Sequence, residues 1–515
     1  MRTQHDAAIE SASDAEVPVH VDAKELQRTR RVLEAIQRDH GLLATVSAEE
    51  RRALLTAAGR VVHAEPKQKR LLLAGLRRRK REAQKEHDRK LRAGTGIRVV
   101  RAAPVFEEPT QLPERAPGER PAAVSVGPEL KKPKTCYVCK CDFARLHHFY
   151  DALCPECGAV NYEKRFQSEP IEGRVALVTG ARVKIGYVTA LKLLRAGATV
   201  IATTRFPHDA ARRYASEKDY ETFKARLRIH GLDLRHSPSV ELFCGYLRQE
   251  LMRLDLLVNN ACQTIRRPPG FYEHLLDFES RPPEELPEGL RPVLRAQYEC
   301  IAALETVPRL ATGAHERDGG LVAWSGGGAG LGLRASARLS QVRYDFDDAA
   351  RPTGLFPLGR LDADLQQLDL REHNTWRQTL ADVPTPEMIE VQLVNAVAPF
   401  ILCSKLKPLM IQAPGRDKHV VNVSAMEGIF SRGTKTERHP HTNMAKAALN
   451  MLTLTAARDY IQAGIHMNAV DTGWITDEDP FVHAERKREE LDFQPPLDIV
   501  DGAARLLDPF FEGLR

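Results

Sequence analysis

VALVTGARVKIG, residues 175–186, reads as a strand, a tight turn and a helix start in immediate succession. The apolar run Val175 to Val178 has the length and β-branched content of a strand buried on both faces. Gly180 opens the turn. Ile185-Gly186 then begin a helix, whose first N–H groups have no partner within the helix. Such a helix start receives an anion, and after a glycine turn the fitting anion is a pyrophosphate. A glycine turn of this kind carries weight only in context.

The context is a series of apolar runs alternating with helical patterns from about Glu172 onward. Strands are predicted at Val175–Thr179, Thr199–Thr203, Ile229–Leu234, Leu254–Val258, His419–Val423 and His466–Val470. The alternation predicts an α/β fold with a doubly wound parallel sheet. It stops between Asn260 and about Glu387, so a long insertion over about 264–385 is expected beside the nucleotide crevice. Within it, RRPPGFYEH and GGLVAWSGGGAG are candidate lid or pocket-lining pieces, with an assembly surface as the alternative.

The residues around the turn are cationic. Arg182 and Lys184 lie inside it, and Arg205 follows the second strand in IATTRFP. An acidic residue at that strand end would suit a free ribose hydroxyl. Arg205 suits a 2′-phosphate, hence NADP(H), with NAD(H) as the alternative. Read blandly, Arg205 is a solvated loop arginine. Asp233, followed by Leu234, ends the third strand, where a carboxylate can accept from an adenine amine. LDLLVNNA supplies the fourth strand together with Asn260 and Ala261.

TGxxx(x)IG, the Asp after the third strand and NNA together resemble the short-chain dehydrogenase/reductase family. The likeness continues through Asn395 in QLVNAVAPF, the strand VVNVSAMEG, Lys446 in NMAKAALNM and DTGWIT with Gly473, and covers about residues 172–515. It implies a Rossmann-type sheet and hydride transfer between a nicotinamide and a carbonyl or activated alkene of a small-molecule substrate. It also implies catalytic roles for Asn395 and Lys446, with Lys446 holding the nicotinamide ribose as well, and pairing into homo-oligomers.

The pattern is broken at several places. Lys184 stands at the family's middle glycine, and Cys262 replaces the glycine after NNA. Four residues before Lys446, where the family has its tyrosine, stands Thr442. Ala425 aligns with the family's serine, and Ser424 falls one residue early, on the other face of the strand. A threonine hydroxyl is shorter in reach and less acidic than a phenol, so it cannot simply replace tyrosine as general acid. Lys446 acting through a water held by Thr442, or His441 or His439 acting as the acid, are the available substitutes. Asn260 and Asn395 stand 135 positions apart (395 − 260), against a few tens of residues in simple members of the family.

Cys136-x2-Cys139 and Cys154-x2-Cys157 are separated by fourteen residues. Paired knuckles at this spacing suit a closed, structural Zn2+ site with four thiolates. Cys141 is surplus and could replace Cys139, and a redox dithiol is the alternative. The module is expected over 135–165, preceded by a linker over 104–134 that carries seven prolines.

Residues 1–103 read as a helical, basic segment with a disordered first ~20 residues. Leu26, Val32, Leu33 and Ile36 share one face, and Ser47 to Glu50 resembles a capping box. Residues 67–101 hold 14 Lys/Arg against 3 Asp/Glu, a balance of +11 in a chain whose net charge is +6. The remainder is therefore −5 (6 − 11). This arm can meet an acidic partner or nucleic-acid phosphates, although it carries no aromatic residue for base stacking. No stretch is read as approaching the ~20 apolar residues of a membrane span. No signal or transit pattern opens the chain, so a cytoplasmic location is expected. Residues 166–515 are thus expected to form an NADP(H)-dependent oxidoreductase domain with an atypical site. The alternatives are a non-catalytic NADP(H)-binding sensor or scaffold, and a nucleic-acid-associated factor.

Overall fold

The computed structural model describes residues 21–103, 126–306, 328–344, 354–433 and 435–515. The expected disorder of the first ~20 residues, positions 104–125 of the linker and most of GGLVAWSGGGAG lie outside them. Among these residues eight strands are formed: β1 (Val126–Thr135), β2 (Asp142–His147), β3 (Val175–Thr179), β4 (Thr199–Thr204), β5 (Leu227–Gly231), β6 (Leu256–Asn259), β7 (Lys418–Ser424) and β8 (Ile465–Asp471).

β3 to β8 make one parallel sheet in the order β5-β4-β3-β6-β7-β8. The third predicted strand forms two residues earlier than expected, at Leu227–Gly231. The chain runs outward from β3 to β5, then returns to β6 on the other side of β3. That reversal places a crevice beyond the carboxyl ends of β3 and β6. Both sheet faces are buried, as apolar strands joined by crossover helices require. Helices Lys184–Arg195 and Ile499–Leu514 cover one face through Leu191, Leu194 and Phe510. Ser237–Glu250, Ala398–Gln412 and Pro440–Gln462 cover the other through Phe243, Leu402 and Tyr460.

Thr385–Gln412 forms one 28-residue helical stretch, apolar and long enough to cross a bilayer, contrary to the sequence reading. Leu402, Leu406 and Leu409 account for much of that apolarity by packing in the core.

The described chain divides into two compact units, one running to Ala83 and one over Gln84–Arg515. In the first, Ala23–Arg38 begins at a capping box of Asp22 and Glu25, and Ser47 caps Ala48–Val62 through the Glu50 N–H. Leu26, Val32 and Leu33 share a face but remain exposed.

In the second unit, β1 and β2 form an irregular antiparallel hairpin, so β1 occupies positions 126–134 of the expected linker. The hairpin and helix Pro155–Lys164 do not form a separate body. Phe143, Leu146 and Phe149 share a core with Val188 on the helix after β3 and with Leu497 and Val500 at the C-terminus. The end of the basic arm belongs to this unit too. Asp88 accepts from the Lys131 and Lys132 N–H groups, and Arg92 and Arg98 pair with Asp492. Arg98 also forms a buried pair with Asp151. These arginines are internal ties and not part of a free cationic surface.

Candidate active site

A cleft of about 1390 Å³ opens where the chain reverses between β3 and β6. Its lining brings together Gly180, Arg182, Lys184, Ile185, Gly186, Arg205, Asp233, Leu234, Asn260, Ala261, Ser424, Thr442, Lys446 and Gly473. Residues scattered over almost 300 positions meet because each stands at the carboxyl end of a strand or at the start of the helix that follows.

The glycine turn is tightly built. Gly180 holds φ +69°, and a Cβ on Gly186 would lie 2.3 Å from the Gly180 carbonyl oxygen. Only glycine lets the helix approach that closely. Asn260 Nδ2 donates to the Thr179 and Gly180 carbonyls, and Thr179 Oγ1 accepts from the Ala261 N–H. Asn260 and Ala261 therefore brace the turn. Val183 precedes the helix without a side-chain capping bond, which leaves the helix start open to an anion.

The three cations differ. Arg182 is buried, and its Nη1 donates to Asp209 at 2.7 Å. Burial pushes the Asp209 carboxyl up, but the Arg182 and Arg213 charges outweigh it and hold it well below the usual carboxylate range. The charge assigned to a phosphate at Arg182 is thus neutralised internally, because a buried guanidinium needs a carboxylate partner.

Lys184 holds φ +55°, a left-handed conformation at the position where the family has glycine. The Lys184 charge acts on two carboxyls that also line the cleft. In Asp364, from the insertion, burial raises the carboxyl and Lys184 opposes that rise. In Glu478 burial acts in the same sense, but Lys184 and the Thr476 hydroxyl bring it below the usual value.

Arg205 is half-buried and makes no ion pair among the described residues. Its Nη2 donates to the Tyr272 hydroxyl at 2.6 Å, and its guanidinium lies 4.7 Å from the centre of that ring. Tyr272 belongs to RRPPGFYEH, so this piece of the insertion lines the cleft. Asp233 is buried, with its carboxylate already held by Arg235 Nε and Nη2. The sequence could not show that a second arginine two positions on would take it.

On the other side of the crevice, Lys446 is buried and its Nζ donates to the Val423 carbonyl at 2.6 Å. Thr442 lies one helical turn earlier, and its buried hydroxyl has no hydrogen-bond partner among the described residues. Ser424 Oγ donates to Asn450 Oδ1 at 2.5 Å, and Ala425 continues the cleft wall.

Asn395 and His441 do not line the cleft. Asn395 sits in a π-helical turn, Leu393–Val397, accepting from the Gln263 N–H at 2.8 Å and donating to the Gln263 carbonyl at 3.0 Å. It clamps the loop after β6. His441 is buried with neither ring nitrogen bonded among the described residues, and burial pushes it down to about 4, so it is neutral near pH 7. His439 does line the cleft, at φ +41°, stacked on Trp376 with ring centres 3.9 Å apart. Trp376 comes from the insertion and carries no sequence signal for this position. Two tyrosines, Tyr137 and Tyr272, line the cleft, and the hydroxyl of each holds a partner.

Cys136, Cys139, Cys154 and Cys157 bring their sulfur atoms within 4.8 Å of one another. Cys136 and Cys139 come from the turn of the β1–β2 hairpin, Cys154 and Cys157 from the start of Pro155–Lys164. The Cys139–Cys154 separation is 3.8 Å, close to the ~3.8 Å edge of a tetrahedron with metal–sulfur bonds of ~2.3 Å. Cys141 is not in the group.

Comparison with known proteins gives two family matches, short chain dehydrogenase over residues 174–275 and Enoyl-(Acyl carrier protein) reductase over residues 359–492. The gap between them falls within the insertion. An uncharacterized protein of Acanthamoeba polyphaga mimivirus is 31% identical over 393 residues, spanning 73% of this chain and 71% of its own. Carbonyl reductase (NADPH) 1 of Sus scrofa is 42% identical over 89 residues, 17% of this chain and 30% of its own. A solved structure of NADPH-bound carbonyl reductase from chicken fatty liver aligns over 68% of this chain and 90% of its own, at 17% identity and a TM-score of 0.38.

Proposed function

The chain belongs to the short-chain dehydrogenase family of oxidoreductases, and from that premise we propose that it binds NADP(H) and reduces or oxidises a small organic carbonyl or activated alkene. Supporting the choice of cofactor is Arg205, which stands at the carboxyl end of β4 without an ion-pair partner among the described residues. An unpaired guanidinium braced by Tyr272 is suited to a phosphate that NADP(H) carries and NAD(H) lacks. The nicotinamide, when bound, supplies or accepts the hydride.

The protein's own residues do the rest. The open start of Lys184–Arg195 receives the pyrophosphate. Asn260 and Ala261 hold the turn in shape, and Asn395 holds the loop after β6. Lys446 is fixed by the Val423 carbonyl and presents its remaining donors toward the cleft. Thr442, whose hydroxyl is otherwise unpartnered among the described residues, holds a water or the substrate oxygen, and the proton comes to that oxygen from Lys446 through it. His441, neutral and outside the cleft, takes no part. The four cysteines hold Zn2+ in a structural role, since four thiolates leave no open position.

A second reading, an NADP(H)-binding protein without turnover, is favoured by Thr442 and Ala425 at the family's tyrosine and serine positions. Oxidation of NADPH against a panel of aldehydes, ketones and enones separates the two. Turnover lost in Lys446→Ala supports the enzyme, and tight binding without turnover on any member of the panel supports the second reading.

A further inference from the structure

Tyr137 stands one residue after Cys136, inside the first knuckle, yet it lines the dinucleotide cleft. Its hydroxyl accepts from the Trp474 backbone N–H at 2.9 Å. Among the described residues that N–H has no carbonyl acceptor, so Tyr137 satisfies a main-chain donor that the loop after β8 leaves open. The tyrosine is itself fixed by the knuckle. Its N–H donates to the Ala152 carbonyl at 2.9 Å, and Lys140 lies 4.9 Å from its ring centre.

The second knuckle reaches the same corner by another route. Asn161 Nδ2 donates to the Cys157 carbonyl at 2.8 Å, and Asn161 Oδ1 accepts from Arg505 Nη2 at 3.1 Å. Arg505 Nη1 lies 2.8 Å from where a Gly473 Cβ would stand, and Gly473 holds φ +81°. Gly473 and Trp474 both line the cleft. One hydrogen bond, from the first pair of cysteines, and one close approach, through Asn161 and Arg505 from the second, therefore converge on one two-residue segment of the cofactor cleft.

We propose that Tyr137 is a positioning residue for dinucleotide binding, through which the four-cysteine module sets the shape of the Gly473–Trp474 corner. The proposal rests on the NADP(H) reading above. It makes the module a working wall of the cleft: with the knuckles folded, the corner is held ready for the dinucleotide, and with the Tyr137 link cut the corner must be ordered at the cost of binding free energy.

The test uses the full chain, purified with zinc, as wild type and as Tyr137→Phe. Zinc content, melting temperature, NADPH affinity by calorimetry and hydrogen exchange at the Trp474 amide are measured on each. Tyr137→Phe is expected to keep its zinc and melting temperature, to bind NADPH about three- to tenfold more weakly, as the loss of one hydrogen bond allows, and to exchange the Trp474 amide faster. Should Tyr137→Phe not fold, Asn161→Ala cuts the other link and carries the same expectation for NADPH. Wild-type affinity in a zinc-loaded variant overturns the proposal alone. Loss of zinc in Tyr137→Phe also overturns it, because the residue is then a support of the knuckle only. A wild-type protein that binds neither dinucleotide overturns this proposal and the functional reading together.

Discussion

Arg205 Nη2 lies 2.6 Å from the Tyr272 hydroxyl, joining the end of β4 to the first helix of the insertion. The contact fixes a guanidinium that pairs with no carboxylate among the described residues. Removing the cation should therefore act on one dinucleotide only. In Arg205→Ala the NADPH dissociation constant is expected to rise about tenfold to a hundredfold, the range for a charge-assisted hydrogen bond. NADH affinity should stay within about twofold. Parallel titrations with both dinucleotides check the selectivity.

Lys184 offers a test of backbone strain. At φ +55° any side chain beyond glycine is disfavoured. Lys184→Gly and Lys184→Ala both remove the charge facing Asp364 and Glu478, so their difference isolates the backbone contribution. The glycine variant is expected to be more stable by ~1 kcal/mol, the reverse of the usual order in a helix. Denaturant unfolding of the two variants gives the sign directly.

His441 predicts a pH effect on stability. Burial pushes it down to about 4 in the folded protein, while an unfolded histidine titrates near ~6.5. Between those values the unfolded chain binds a proton that the folded chain does not. Stability is therefore fully present above about pH 6.5 and is lost as pH falls toward about 4. His441→Gln should remove part of that loss, on the order of 2 kcal/mol at pH 4, with little change at pH 7. Urea unfolding at both pH values measures it.

The four clustered cysteines and Cys141 are expected to respond differently to substitution. Cys157→Ser should lose the metal and destabilise the protein by at least ~2 kcal/mol, since the knuckles share a core with Val188, Leu497 and Val500. Cys141→Ser, outside the sulfur group, should keep one equivalent of zinc and its stability. Metal analysis beside denaturant unfolding distinguishes them.

Strand positions were legible because a strand buried on both faces must be written as an unbroken apolar run. Val175–Thr179 forms as predicted. Ile229–Leu234 forms two residues early, since Leu227 joins β5 while Leu232 and Leu234 belong to the following loop. That the predicted cofactor residues meet at the cleft was legible too, because strand ends and helix starts fix their place, but Asn395 and His441 lie outside its lining. What each side chain does there was not. Arg182 reads as a phosphate ligand until Asp209, twenty-seven positions away, takes its charge. Asp233 reads as an adenine acceptor until Arg235 closes on it. Asn395 reads as catalytic, but its amide clamps Gln263. Partners as distant as Asp209 from Arg182 and Gln263 from Asn395 leave no trace in spacing. The insertion has no period or motif, so Trp376 could be placed only by the structure, and Tyr272 was legible only as part of the candidate pocket-lining piece RRPPGFYEH.

The central claim, that Arg205 at the end of β4 marks an NADP(H) site, is tested most directly by calorimetric titration of the purified wild-type protein with NADPH and with NADH. Saturable heat with NADPH, at an affinity at least about tenfold above that for NADH, is the predicted result. No heat with either dinucleotide, or tighter binding of NADH, would contradict it.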